Sequence, residues 1–308
     1  MRRFLKKFTI YLFKIFSKAG IFFLPSHYYV PLANINQLKN TKQIWAKKSE
    51  LPAIDSDLDE QVNNLQKICL PYQHEYVGNI NYLKAVEKLF GPGYGFLEAQ
   101  ALHGFIRFYK PGKVIEIGSG VSTFCMLKAN EINKEEENTE TQITSIEPFP
   151  SDKINALKKV NLIKEKVQSV PVSKFKDLSA GDLLFIDSSH TIRPGGDVNY
   201  LILEILPRLS KGVMVHFHDI FLPYDYPRNV LNSYFQWMET SLLRAFLINN
   251  HKAKIIFCLS QLHYDRKKAL KKIFPDYVPA GDENGLETDS NANPNKKHFP
   301  ASIYLEIL

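Results

Sequence analysis

From Pro111 onward, short apolar runs alternate with longer segments whose apolar residues recur at helical spacing. Strands and helices in that alternation build βαβ units and hence a parallel sheet. The apolar runs at 113–117, 142–146, 162–167, 183–186, 213–217, 254–259 and 302–307 predict seven strands. Helical spacing predicts helices over 122–132, 152–159, 198–209 and 228–249. The string NKEEENTET at 133–141 reads as a solvated loop, and so does the Asn-, Asp- and Gly-rich stretch 279–298.

Upstream the pattern changes. Helices are expected at 57–67, 82–89 and 96–108, with Gly91-Pro92-Gly93-Tyr94-Gly95 breaking the chain before the last of them. Segment 25–38, carrying Pro25 and Pro31, reads as an extended linker. A boundary at the break divides the chain into a helical N-terminal extension, 1–92, and an α/β domain, 93–308, with a Rossmann-like, doubly wound sheet.

The sequence MRRFLKKFTIYLFKIFSK at the start follows its own pattern. At ~100° per residue, Phe4, Leu5, Phe8, Tyr11, Leu12, Ile15 and Phe16 fall on one face. Arg2, Arg3, Lys6, Lys7, Lys14 and Lys18 fall on the other, while Ile10 and Phe13 stray. Lys14 and Lys18 interrupt the apolar run, which is too short to span a bilayer. No small-residue cleavage site follows it, as a signal peptide would require. The pattern fits a helix lying in a membrane interface, and also a helix docked on its own protein with lysines in water.

Composition changes this picture little. A hydrophobic fraction of 44% over 308 residues suits one large α/β domain with an extension. Much of the net charge of +7 comes from the N-terminal lysines and arginines, which implies a local basic surface. With no base-reading motif, nucleic acid is not expected as a partner. Cys69, Cys125 and Cys258 are widely separated without CxxC or CxxH spacing, which argues for free thiols in a reducing cytosol.

Doubly wound sheets bind ligands beyond the carboxyl ends of their strands, near the reversal of strand order. After the first strand stands Glu116-Ile117-Gly118-Ser119-Gly120-Val121-Ser122-Thr123. Gly118 and Gly120 allow a sharp turn and close approach of a ligand, and the helix behind them offers free N–H groups. Thr123 occupies the place of the third glycine of a dinucleotide fingerprint. Glu116 points to a cationic or amino-bearing ligand. After the second strand, Glu147 can accept hydrogen bonds from both hydroxyls of a ribose.

Asp187-Ser188-Ser189-His190 follows the fourth strand, and His216-Phe217-His218-Asp219 ends the fifth. Asp187, His218 and Asp219 offer oxygen and imidazole ligands for a divalent cation such as Mg²⁺. Such an ion would lower the pKa of a bound hydroxyl. Alternatively, His190 or His218 acts as a general base, with Asp187 and Asp219 orienting it. His216 and His218 share one face of their strand, and the deeper His216 reads as a core residue.

At these points the chain resembles the class I S-adenosylmethionine-dependent methyltransferases, in particular a bacterial group with the patterns E-I-G-S-G-x-S-T, I-D-S-S-H and H-D-I-F-x-P-x-D-Y-P. The resemblance covers roughly residues 94–260, and residues 302–307 fit that family's antiparallel seventh strand. It implies that Glu116, Gly118, Ser119, Gly120 and Ser122 surround the methionine part of S-adenosylmethionine. It further implies that Glu147 holds the ribose, and that Gln168 or Ser169 borders the adenine. Asp187 and His190 would then line the passage from cofactor to substrate. Related metal-dependent O-methyltransferases are similar in carrying carboxylates at the positions of Asp187 and Asp219, but commonly have Asp-Asn where this chain has His218-Asp219. The segment His27–Pro31 and the stretch with Trp237 and Glu239 also look like parts of this group, which suggests Tyr28, Arg228 and Glu239 as substrate-facing residues.

The expected function is methyl transfer from S-adenosylmethionine to a hydroxyl of a small molecule or glycan, with or without a metal. The expected location is the cytoplasm, or the inner membrane face through contact of residues 1–18. A nicotinamide-dependent oxidoreductase is disfavoured by Thr123 and by the lack of a Tyr-x-x-x-Lys pair after the fifth strand. A non-catalytic scaffold is the other alternative, but it would show loss of the cofactor glycines or acids, and all are present.

Overall fold

A computed structural model describes residues 2–91, 93–288 and 297–308, with side chains from Lys6 onward. The facing of Arg2, Arg3, Phe4 and Leu5, the residue Pro92, and 289–296 of the polar loop lie outside the described residues.

Seven strands form one sheet: β1 (Lys113–Ile117), β2 (Gln142–Ile146), β3 (Val160–Ile163), β4 (Leu183–Ile186), β5 (Met214–His218), β6 (Ala253–Cys258) and β7 (Ser302–Ile307). Their order is β3-β2-β1-β4-β5-β7-β6. The strands β1 to β5 pair in parallel, and β7 runs antiparallel to both β5 and β6. The central strands are buried on both faces, which explains runs such as Leu-Leu-Phe-Ile in β4.

The main helices are α1 (Arg2–Ser17), α2 (Leu58–Cys69), α3 (Ile80–Glu87), α4 (Phe96–Tyr109), α5 (Val121–Glu137) and α6 (Glu239–Leu247). Asp57 caps α2 by accepting from the amides of Asp59 and Glu60 at 2.8 and 2.9 Å. Leu65 and Ile68 of α2, Leu102 and Phe105 of α4, and Phe257 and Tyr304 of the sheet belong to one buried cluster. Helices on both sides of the Gly91–Gly95 break thus cover the same face. A second cluster, with Leu201 and Leu243 against Ile117 and Ile186, covers the other. The three cysteines are buried thiols.

Several elements differ from the sequence expectation. The acidic string does not open as a loop at Asn133, because α5 continues to Glu137. Asn133 is buried and donates to the Ile106 carbonyl at 3.0 Å, while Glu136 pairs with Arg107, so tertiary partners extend the helix. The helix expected over 228–249 is confined to Glu239–Leu247. Upstream of it, Arg228 stacks on Phe299 and Gln236 bonds to the backbone of Ala33, which draws 228–238 along an irregular path.

The helix of 198–209 is a short α turn, Asp197–Asn199, that widens to π geometry over Tyr200–Ile205 and tightens at Leu206–Arg208, where Pro207 ends it. The helix over 152–159 shortens to Asp152–Asn155, and the third strand begins earlier than expected, at Val160. Leu259–Asp265 and Lys267–Ile273 are helical where none was expected. Within the polar loop, Asp282–Glu283 pairs with Leu286–Glu287.

The helix α1 forms as its periodicity predicts, but none of its described side chains joins a buried cluster. Among the described residues no helix is long and apolar enough to cross a membrane.

Candidate active site

Strand order reverses between β1 and β4, and their ends are joined by the backbone. The Asp187 amide donates to the Ile117 carbonyl at 3.0 Å, and the Gly118 amide donates to Ile146 at 3.1 Å. Gly118 has φ +85°, and a Cβ there would lie 2.6 Å from the Asp187 carbonyl oxygen, so only glycine fits. Beneath this turn lies Glu116, fully buried. Its carboxylate accepts from Ser122 Oγ at 2.8 Å, from Thr123 Oγ1 at 2.7 Å and from Ser145 Oγ. Thr123 Oγ1 in turn accepts from the Gly120 amide at 3.0 Å. Burial raises the Glu116 carboxyl to about 7, against the opposing pull of the three hydroxyls. Glu116 and Ser122 therefore brace the turn from below. Ser119 Oγ is buried and has no hydrogen-bond partner among the described residues.

Over the turn opens a cavity of about 270 Å³, walled by Gly118, Glu147, Gln168, Asp187, Arg193 and Asp197 among others. Glu147 accepts from the Phe149 amide at 2.8 Å, and Gln168 donates to the Gly195 carbonyl at 3.0 Å. Asp197 accepts from the amide and the hydroxyl of Ser189 at 2.9 and 2.6 Å, which fixes the loop after β4. Ser169 ends a short turn, Val167–Ser169, beside Gln168.

A second cavity of about 290 Å³ is walled by Glu98, His218, Asp219, Arg228, Trp237 and His298 among others. Asp187, on the wall of the first cavity, places Oδ1 3.3 Å from Nδ1 of His218, on the wall of the second. The sequence clusters after β4 and β5 thus converge. His190 Nε2 lies 3.3 Å from Asp187 Oδ1 and 3.4 Å from Asp219 Oδ2, and its Nδ1 lies 2.7 Å from Glu239 Oε2. Both His190 (φ +56°) and Asp219 (φ +53°) adopt the left-handed conformation, a strain that such sites retain where surrounding contacts enforce it. The His190 carbonyl accepts from the Met238 and Glu239 amides, and the Trp237 ring packs 4.7 Å from the imidazole. His190 itself lines neither cavity.

Charge follows from this geometry. Burial disfavours a charged His190, but hydrogen bonds to Asp187 and Glu239 and the charge of Asp219 outweigh it and hold the imidazole well above its usual range. The same balance, with Asp219 and Asp187 against burial, pushes His218 up to about 9. The two imidazoles hold Asp187 well below the usual carboxylate range despite its burial. His216 is different: it is buried between Phe185 and Tyr304, with ring centroids 4.5 and 4.2 Å away, and burial drives it neutral, as expected of a core residue.

Sequence reading missed Glu98 and His298. Glu98 is a buried acid on the inner face of α4 that bonds His298, accepts from the Ala301 amide at 2.9 Å and lies 3.9 Å from His218 Nε2. Its only signal is an acid among apolar residues of a helix. Of the residues suggested as substrate-facing, Arg228 lines the second cavity, Glu239 stands behind His190, and Tyr28 is 90% exposed.

A family model described as a methyltransferase domain matches residues 115–220, which run from β1 past Asp219 and include the turn, Glu147, Asp187, His190 and His218. Residues 115–220 thus carry a methyltransferase domain. The chain is 31% identical, over 175 residues, to an uncharacterized protein of Archaeoglobus fulgidus, a match that covers 52% of this chain and 76% of the relative. Among solved structures it is similar to an SAH-bound methyltransferase of Podospora anserina, with 15% identity, coverage of 75% and 93% of the two chains, and a TM-score of 0.36. Another is a putative methyltransferase of Thermobifida fusca, with 9% identity, coverage of 87% and 97%, and a TM-score of 0.33.

The residues of the first cavity suit the family's cofactor. Next to Gly118 of its wall, Ser119 Oγ is a buried polar atom with no hydrogen-bond partner among the described residues. The carboxylate of Glu147 suits ribose hydroxyls, and Asp187 offers negative charge to a sulfonium.

Proposed function

We propose that this methyltransferase alkylates a hydroxyl oxygen of a small molecule or glycan held in the cavity of His218, Asp219 and Trp237. The reading rests on one observation: Asp187 walls the first cavity and is 3.3 Å from His218, which walls the second. A proton-accepting group therefore faces the acceptor side of the point where methyl transfer would occur.

S-adenosylmethionine, when bound, supplies a methyl group activated by its sulfonium for in-line displacement. Gly118 and Ser119 form the turn that receives it, Glu147 holds the ribose and Gln168 borders the adenine. His218 takes the acceptor proton at Nε2, and Asp187 and Glu98 on its two sides stabilise the resulting imidazolium. His190 lies between Asp187 and Asp219 and keeps both carboxylates in place. It is a positioning residue.

A second reading is favoured by spacing. Asp187, His218 and Asp219 each present a ligand atom, all within 4.8 Å of one another, a donor set that fits a divalent cation. A cation there would hold the acceptor oxygen and lower its pKa. His190 and the His218 proton occupy the same carboxylate oxygens, so the two readings exclude each other.

Calorimetric titration with S-adenosylmethionine and S-adenosylhomocysteine, with and without Mg²⁺ or Mn²⁺, tests both. Micromolar binding that weakens in Glu147→Ala supports the cofactor site. Binding or turnover that requires the cation, and is lost in Asp219→Asn, moves the second reading to first place. No binding in any condition sinks both.

A further inference from the structure

The described side chains of residues 6–29 are all exposed or half-buried. Their apolar groups are large: Tyr11 is 60% exposed, Phe22 63%, and Phe23 51%. Residues 21–30 fold back along α1, with Phe13 against Phe22 at 5.8 Å and Phe16 against Phe23 at 4.5 Å between ring centroids. Phe13, a stray on the helical wheel, thus faces this strap. Between helix and strap lies a hollow of about 860 Å³ lined mainly by apolar groups, among them Ile10, Phe13, Leu24 and Val30. Ala33, just beyond, is tied to Gln236 by hydrogen bonds of 2.7 and 2.9 Å, one residue from Trp237.

Charge is segregated along the chain in the same way. Of the 39 lysines and arginines, ten precede Glu50, which is the first acidic residue; the remaining 29 are outnumbered by 32 acids. The apolar hairpin therefore sits in a purely cationic segment on an otherwise mildly acidic protein.

We infer that residues 6–30 are a docking surface for an anionic lipid bilayer, the aromatic and aliphatic groups entering the interface and the lysines meeting the headgroups. A second copy of the chain would bring two cationic segments together, which charge repulsion opposes. A nucleic acid would satisfy the lysines but offers no place for Ile10, Ile15, Ile21 and Leu24. Lipid uses both halves of the surface.

The test is co-sedimentation of the full chain with phosphatidylcholine vesicles, with and without about 30 mol% phosphatidylglycerol. Partition onto the anionic vesicles only, weakening with salt, is expected. A Lys6→Gln, Lys7→Gln, Lys14→Gln, Lys18→Gln variant loses more than about 100-fold in partition. A Phe22→Ser, Phe23→Ser variant of unchanged charge loses about 10-fold or more. Both keep the parent Tm, because no residue they change is buried. Equal partition onto both vesicles, or none, overturns the inference. So does a loss confined to the charge variant, which indicates a polyanion site, or a dimer in light scattering that Phe22→Ser, Phe23→Ser dissolves.

Discussion

His190 Nδ1 lies 2.7 Å from Glu239 Oε2, so the loop after β4 is held by the first residue of α6, 49 positions away. The same His190 faces Asp187 and Asp219 through its other nitrogen. One imidazolium thus ties together three carboxylates from three elements.

Removing one member leaves buried charge uncompensated. Glu239→Gln should lower stability by about 3 kcal/mol, in the range for breaking one side of a buried pair. It should also lower kcat more than it weakens cofactor binding. Thermal unfolding and calorimetry check this, and a change in cofactor affinity alone would contradict the positioning role of His190.

The proton-accepting role of His218 fixes the sign of a pH dependence. Its acid range is pushed up to about 9, and only the neutral imidazole can take a proton, so kcat/KM should rise about tenfold per pH unit until the profile levels near 9. His218→Gln should remove that rise and lower kcat by about 100-fold or more. A wild-type profile flat from neutral to alkaline pH would exclude His218 as the base.

Gly118 allows no side chain. The Cβ of Gly118→Ala would meet the Asp187 carbonyl at 2.6 Å in a left-handed backbone, which should cost about 1–3 kcal/mol. S-adenosylhomocysteine binding should fall by more than an order of magnitude, since the turn and Asp187 move together. Retained affinity would show that the turn does not shape the cofactor site.

Glu116 makes a separate prediction about stability. Its carboxyl is raised from 4.5 to about 7 by burial, so the folded state binds its proton more tightly than the unfolded state does. The favourable contribution is complete below 4.5 and is lost as pH rises through 7, a change of ~3 kcal/mol. Glu116→Gln keeps the neutral form and should flatten this slope in denaturant titrations. An unchanged slope would mean that another group dominates it.

Treatment with a chelator separates the two readings of Asp187, His218 and Asp219. Under the proton-acceptor reading, turnover survives a chelator and does not rise on adding Mn²⁺. Activity that collapses and returns with Mn²⁺ would assign the cluster to a cation.

The sequence by itself determined the sheet and the ends of its strands. Alternation of apolar runs with helical spacing placed β1, β2, β4 and β7 within a residue of their bounds, because buried parallel strands and the turn glycines leave local patterns. It placed Gly118, Glu147, Asp187, His218 and Asp219 at strand ends, where the switch in strand order gathers them. Only tertiary structure decided how those groups divide their work. Glu116 reads as a ligand-facing acid, yet three hydroxyls from α5 and β2 claim its oxygens. His190 and Glu239 meet through a contact that no local pattern encodes. Glu98 reaches His218 from α4, 120 positions earlier in the chain. The same holds for length: α5 outruns its apolar pattern because Asn133 and Glu136 find partners on α4, while 228–238 abandons helical spacing to reach Phe299 and Ala33. Periodicity records which face of an element is buried. It carries no record of which distant group waits there, and in this chain those pairings set the charges of the site.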